Sequence, residues 1–270
     1  MALRPALALR PALALRPALA LVIAATVLAT GCGGSARSTA DPAGQPTGTL
    51  TVLAAASLTE SLGRIDQDFR TVHPRVSVQL SFAGSSTLVA QVTAGAPADV
   101  IATASSDTMA PLATAGKLAG PPVVFATNVL EIAVSPGNPA HVAGLADLSR
   151  PGVTVAVCAA QVPCGAAAGD TFARAGVAVR PVTYESDVKA VLAKVRLGEV
   201  DAGVVYRTDV IAAGSAVAGV VIPSEQNATT EYPAAVLRDA PNPGAARAFV
   251  AALTKPAAQA LLRTAGFGPP

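Results

Sequence analysis

The stretch LTVLAAASLTESLGRIDQDFRTVHPRVSVQLSFAGSSTL, residues 50–88, decides the fold class. Residues 50–54 are a short apolar run suited to a buried strand. Leu58, Leu62, Ile65 and Phe69 follow at spacings of 4, 3 and 4, one face of a helix that must end before Pro74. Residues 76–82 then alternate apolar and polar, as a strand does. Working outward, the same order continues. Helices are predicted over 87–94 and 108–115, with a short strand at 100–102 between them and a long extended segment over 123–134. A strand at 153–157 precedes a helix over 165–175 that Gly176 stops. Asp187 opens a helix carrying Val188, Val191, Leu192 and Val195. Strands at 202–206, 217–222 and 232–237 lead to two terminal helices, 245–253 and 257–264, with Pro256 between them. Strand–helix alternation of this kind predicts an α/β protein with mostly parallel sheets. Ligands of such sheets sit beyond the carboxyl ends of strands, where helices begin.

Composition removes several function classes. The 270 residues carry 19 basic and 17 acidic side chains, a formal +2. Arg4, Arg10 and Arg16 lie in the first sixteen residues, and without them the balance is −1. A nucleic-acid binder would show a Lys/Arg stripe, and none exists. Six Phe, three Tyr and no Trp leave no platform for stacking bases and little for stacking sugars. His73 and His141 are the two histidines, too few for a multi-histidine metal site.

Residues 2–17 repeat the unit LRPALA about three times, and a proline every sixth residue forbids a long regular helix. Residues 18–30 (ALALVIAATVLAT) are uncharged, too short to span a bilayer and suited to a signal-peptide core. Leu28-Ala29-Thr30-Gly31-Cys32 follows and resembles the lipobox of bacterial lipoproteins, except that Ala29 stands where leucine is usual. That resemblance implies lipidation at Cys32 and anchoring on the outer face of the cell membrane. Residues 1–31 are then a signal peptide. Residues 32–48, which from Gly33 on hold no large apolar side chain, are a flexible tether. Outside the cytoplasm the remaining pair, Cys158 and Cys164, reads as a disulfide. Its short loop gives a chain-entropy gain of roughly 2 kcal/mol.

Five strand-to-helix turns carry polar groups. In the first, Ser57 and Glu60 stand at capping-box spacing, so a helix cap alone would account for Ser57. The second sets Ser85, Ser86 and Thr87 after Gly84, more hydroxyls than a cap requires, beside a glycine that would let backbone approach a ligand. Cys164 lies in the third turn, Gln161–Ala166, Val188 follows the cap Asp187 in the fourth, and Tyr206 ends a strand at the fifth, where core packing is the better account of it from these residues alone. Hydroxyls and backbone N–H groups dominate, without histidine or a catalytic carboxylate pair. Such a set suits a tetrahedral oxyanion. It disfavours a protonated one, whose O–H finds no acceptor.

The segments AAASLTE (54–60), SFAGSSTLVAQVTAGAPADVIATAS (81–105), VPCGAAAGDTF (162–172), ESDVKAVLAKVRLGEVDAGVVYRTD (185–209), TEYPAAVL (230–237) and AGFG (265–268) together resemble the molybdate-binding proteins of molybdate ABC transporters. The resemblance runs in order over residues 49–268. It implies a type II periplasmic-binding-protein fold: two α/β lobes, joined by two crossover strands, with the ligand cleft between them. One lobe would hold residues 49–126 and 228–270, the other 127–227. The crossovers would be 123–134 and a segment around 223–232. It also implies that Ser57 and Ser85 hydroxyls, the Tyr206 hydroxyl and the backbone N–H groups of Cys164 and Val188 hold molybdate, with tungstate bound similarly and no cofactor. The metal would enter only as its oxyanion. Cys164 departs from the alanine common at its position, which a backbone donor tolerates if the thiol points to Cys158. The protein is then a monomeric, lipid-anchored receptor serving an ABC permease and its ATPase, not an enzyme. A sulfate receptor is the competing reading. A serine hydrolase using Ser85 lacks the G-x-S-x-G elbow, and a regulator's effector domain lacks a DNA-reading segment.

Overall fold

The structure, a computed structural model, describes residues 45–270. The predicted signal peptide, Cys32 and most of the tether lie outside the described residues. The chain begins with β1 (Gly48–Ala55), α1 (Thr59–Val72), β2 (Val76–Ala83), α2 (Ser85–Thr93), β3 (Val100–Ala102) and α3 (Ser106–Thr114). The long β4 (Val123–Val134) leads to β5 (Val155–Cys158), α4 (Pro163–Ala175), β6 (Thr183–Glu185), α5 (Val188–Arg196), β7 (Ala202–Tyr206), α6 (Arg207–Ala213) and β8 (Ala218–Val221). Then β9 (Thr229–Val236) returns the chain, and α7 (Pro243–Leu253) and α8 (Pro256–Thr264) complete it.

The strands run in the order β2-β1-β3-β9-β4-β7-β5-β6, with β8 also pairing on β4. β1 is parallel to β2 and β3, and β5 is parallel to β6 and β7. Every pairing that involves β4 or β9 is antiparallel. Each end of the sheet is therefore a parallel α/β half, as the alternation predicts. Two long antiparallel strands join the halves. β4 belongs to both: residues 123–129 pair with β9 and residues 130–134 with β7 and β8.

The second crossover differs from the expectation around 223–232. Residues 223–227 form a turn in which the Asn227 N–H donates to the Pro223 carbonyl (3.0 Å), and the strand begins only at Thr229. The strand β6 and helix α6 are elements the sequence reading did not predict. β6 reads Thr-Tyr-Glu and is at most half-buried, and the residues α6 buries are Thr208 and Asp209, so neither shows the apolar run or period that marks the equally short, fully buried β3.

Alternation along β1 divides the first half's core by face. Leu50, Val52 and Ala54 pack with Leu58, Leu62, Ile65 and Phe69 of α1 and its preceding turn, and with Phe249 of α7. Leu53 points the other way, to Leu88, Ile101, Met109 and Leu112 under α2 and α3. In the second half, Val191 and Val195 of α5 cover β5 and β7, and Gly203 in β7 admits them: a Cβ there would stand 2.8 Å from both valines. Side-chain burial on both faces fixes where each strand ends, and so where the turns sit.

Asn227 bridges the point where β4 passes between halves. Its Oδ1 accepts from the Leu130 N–H (3.0 Å) and its Nδ2 donates to the Leu130 carbonyl (2.7 Å), replacing a missing ladder partner. Removing a buried amide that satisfies two backbone groups leaves both unpaired. Asn227→Ala should therefore lower unfolding free energy by about 1–3 kcal/mol, read as a lower urea midpoint with unchanged slope. An unaltered midpoint would show that the bend holds without it.

Candidate functional site

Ser57, Ser85, Cys164, Val188 and Tyr206 line a single cavity of about 10 Å³, together with Ala55, Ala56, Gly84, Ala104, Val162, Pro163 and Asp187. Sites for drug-sized ligands run to roughly 300–1,000 Å³, and this cavity is far smaller. Three helices begin at the cavity: α2 with Ser85 first, α4 with Pro163 and Cys164, and α5 with Val188. First-turn N–H groups have no acceptor within their own helix, and the dipole adds positive potential there. Pro163 at the first position of α4 removes an N–H that would have no partner and pre-sets the helical φ. No Lys or Arg lines the cavity.

The hydroxyls are oriented by their neighbours. Ser85 is buried, and its Oγ accepts from the Ala104 N–H (3.0 Å), so its own proton is left to donate. Ser57 lies in a short 3-10 turn, Ala56–Leu58, and caps nothing. Its Oγ instead meets the Tyr232 hydroxyl at 2.9 Å, which corrects the helix-cap reading. Tyr206 is 1 % exposed, and its buried Oη stands beside the Thr230 and Tyr232 hydroxyls without a close, well-aligned hydrogen bond to either. Burial raises the Tyr206 and Tyr232 phenols above their ordinary value, and both keep their protons.

Cys164 is joined to Cys158, with Cα atoms 5.7 Å apart. The bond ties the first turn of α4 to the end of β5. Gly165 has a different reason to be glycine, since a Cβ there would stand 2.0 Å from the Ala159 carbonyl oxygen. Asp187 brings a carboxylate to the cavity wall, but its Oδ1 is occupied in accepting the Ala190 N–H (3.0 Å), the cap predicted for α5.

Groups from the two sheet halves meet around the cavity. Gly84 was expected to let backbone approach a ligand. What it admits is the opposite wall, because a Cβ would lie 2.2 Å from the Ser186 carbonyl oxygen. Ser86 donates to the Gln161 carbonyl (2.5 Å), so this hydroxyl of the serine-rich turn serves the contact between halves. Lys189 of α5 pairs with Glu60 of α1 (2.9 Å) and with Asp209 of α6 (3.0 Å). Two carboxylates thus neutralise Lys189. Asp209 also accepts the Tyr206 N–H (3.2 Å), fixing the end of β7. Burial pushes the Asp209 carboxyl up to about 6 despite Lys189. Burial lowers Lys189, but Asp209 and Glu60 outweigh it and the net shift is upward.

Asn128 and Tyr232 are the polar groups behind the cavity that sequence reasoning did not single out as functional. Asn128 sits within the long extended segment, where its polarity among apolar neighbours was the available signal.

Residues 50–268 match the family model of bacterial extracellular solute-binding proteins. The chain belongs to that family. A molybdate-binding protein of Mycobacterium tuberculosis is 40% identical over 249 residues, 92% of this chain and 95% of the relative. Among solved structures, the periplasmic molybdate-binding protein of Azotobacter vinelandii superposes with a TM-score of 0.72 at 20% identity, over 82% of this chain and 99% of that one. The sulfate-binding protein SubI of Mycobacterium tuberculosis gives 0.73 at 23% identity, over 82% and 86%. These likenesses establish the two-lobed periplasmic-binding-protein fold, and fold alone does not separate the two anions. Among the described residues of this solute-binding protein, no helix is long and apolar enough to cross a membrane, and no cluster of His, Cys, Asp or Glu could hold a bare metal ion.

The pH dependence of stability follows from Asp209. Its folded pKa, about 6, lies above the ordinary 3.8. Its contribution is then most favourable below the unfolded value and is lost as pH rises through about 6. Lys189, raised from 10.5, titrates far above this window. Wild-type stability relative to Asp209→Asn should therefore fall between about pH 4 and pH 7, measured by urea unfolding of both proteins across that range. A constant difference would mean that Asp209 titrates like an exposed carboxylate.

Proposed function

We propose that this protein is the extracytoplasmic receptor of an ABC importer, capturing molybdate in the cleft and delivering it to a membrane permease driven by an ATPase. The observation that carries the reading is a buried cavity, bounded by three helix N-termini and oriented hydroxyls, with no cation in its wall. Such donors stabilise a tetrahedral oxyanion through several charge-assisted hydrogen bonds at once. The choice of molybdate within that class is supported by the 40% identity to a molybdate-binding relative over 92% of the chain. Tungstate, with the same charge and shape, is expected to bind similarly.

In this reading the Ser57, Ser85 and Tyr206 hydroxyls and the N–H groups of Cys164 and Val188 hold the anion. The lobes are residues 49–126 with 228–270, and residues 127–227. Binding brings the lobes together, and the permease reads the closed form. Lipidation at Cys32 tethers the receptor, a monomer, to the outer face of the membrane through residues 32–48.

Two experiments test this. Isothermal titration should give tight binding of molybdate, with Ser57→Ala or Ser85→Ala weakening it by about 1–3 kcal/mol each through a lost donor. Sulfate that displaces molybdate at equal concentration would transfer the assignment to the smaller anion. Gly84→Ala should weaken molybdate binding at least tenfold, because the added methyl would stand 2.2 Å from the Ser186 carbonyl oxygen and hold the walls apart. Wild-type affinity in that variant would show that the contact is not needed for capture.

A further inference from the structure

On β4 the pairing changes hands at Leu130. Val129 stands opposite Thr229 of β9, and Glu131 stands opposite Val221 of β8. Beside this junction lies a second cavity, of about 560 Å³, which shares no wall residue with the anion cleft. Its volume falls within the roughly 300–1,000 Å³ of small-molecule sites. Ile211, Val221, Ile222 and Pro223 give it apolar wall. Val221 is 74 % exposed and Ile211 is exposed as well, so an occupant would take apolar surface out of water.

Two charged residues line the cavity, Glu131 and Arg207. Glu131 is 8 % exposed, yet among the described residues no group donates a hydrogen bond to its carboxylate. Arg207 is exposed and acts on Glu131 only at a distance, without closing an ion pair. Burial raises the Glu131 carboxyl, and Arg207 offsets part of that shift. A buried carboxylate without donors is costly. The fold nevertheless makes room for this one: residue 219 of β8 is glycine, and a Cβ there would overlap the Glu131 carboxylate. Asn227 also reaches the cavity wall, but its amide is occupied by the Leu130 backbone. One acid and one base, unpaired on an apolar wall, are complementary to a ligand that carries both charges and an apolar body.

We propose that this cavity is a second ligand site, which takes a small apolar zwitterion of the α-amino-acid class. The ammonium donates to Glu131, supplying the charge-assisted hydrogen bonds that the protein itself withholds. The ligand carboxylate pairs with the Arg207 guanidinium, whose planar fork suits it. The apolar side chain lies against Ile211, Val221 and Ile222.

The test is isothermal titration of the folded protein with L-phenylalanine, phenethylamine and 3-phenylpropionate, which share one ring and carry both charges, the cation alone and the anion alone. L-Phenylalanine should bind saturably and at least tenfold more tightly than either analogue. Glu131→Gln keeps the side-chain shape and removes the charge. It should weaken L-phenylalanine at least tenfold and erase its advantage over 3-phenylpropionate. Arg207→Gln should weaken L-phenylalanine to a similar degree and erase its advantage over phenethylamine. Wild-type melting temperatures in both variants show that the losses are local. Should either variant fail to fold, the comparison of the three ligands on the wild-type protein tests the same two pairings. Equal binding of all three ligands, L-phenylalanine affinity unchanged in either folded variant, or no binding of L-phenylalanine to the wild type would overturn the site.

Discussion

The proposed function places an anion in a small cavity without a counter-charge, which demands several donors that cannot turn away, and many features of this fold answer that demand. Backbone N–H groups meet it best, because their direction is set once the helix they open is packed. The cavity accordingly lies where α2, α4 and α5 begin. Each start is secured differently: by Gly84 closing against Ser186, by the Cys158–Cys164 bond and Pro163, and by the Asp187 side chain on the Ala190 N–H. Helix dipoles supply the positive potential that a lysine or arginine would otherwise bring, without the desolvation a buried cation requires.

The charged groups close to the site fit the same logic. Lys189 stands near the cavity, but Glu60 and Asp209 neutralise it, and its place is a contact between α1, α5 and α6. Its role is to join the two halves, and it does not line the cavity. Asp209 in turn holds the Tyr206 backbone, so the ion pair is linked mechanically to one wall of the cleft. The energetic cost of burying that carboxylate is visible in its raised pKa. Packing of this kind serves position more than stability.

β4 and β9 are where architecture and chemistry coincide. They are the antiparallel strands that join two parallel halves, and they carry Asn128 and Tyr232 to the rear of the cavity. Asn227 repairs the ladder one step further along, where β4 changes partners. A conformational change that moved the halves would bend the chain at these residues, so the hydroxyl network and the joint between the halves share one structural element.

Much was legible in the sequence because it depends on local physics. Apolar period marked β1, α1 and β7; Pro74 and Gly176 marked helix ends; and Asp187 marked a helix start that the structure shows capped as expected. The order of these elements was enough to predict an α/β fold, and the polar turns pointed to residues that do line one cavity. β6 and α6 escaped because the one is half-exposed and polar and the other buries Thr208 and Asp209, so neither shows the apolar pattern that made the equally short β3 readable. What a turn's polar group does was beyond local reading. Ser57 looked like a cap and is bonded to Tyr232, 175 positions along the chain; Ser86 looked like a ligand group and reaches Gln161; Gly84 looked open and is filled by Ser186. Sequence by itself determined which segments become strands and helices, because that choice is made among near neighbours. Only the tertiary structure decided which hydroxyls donate and to what, because a hydrogen bond's direction depends on partners brought together from distant parts of the chain.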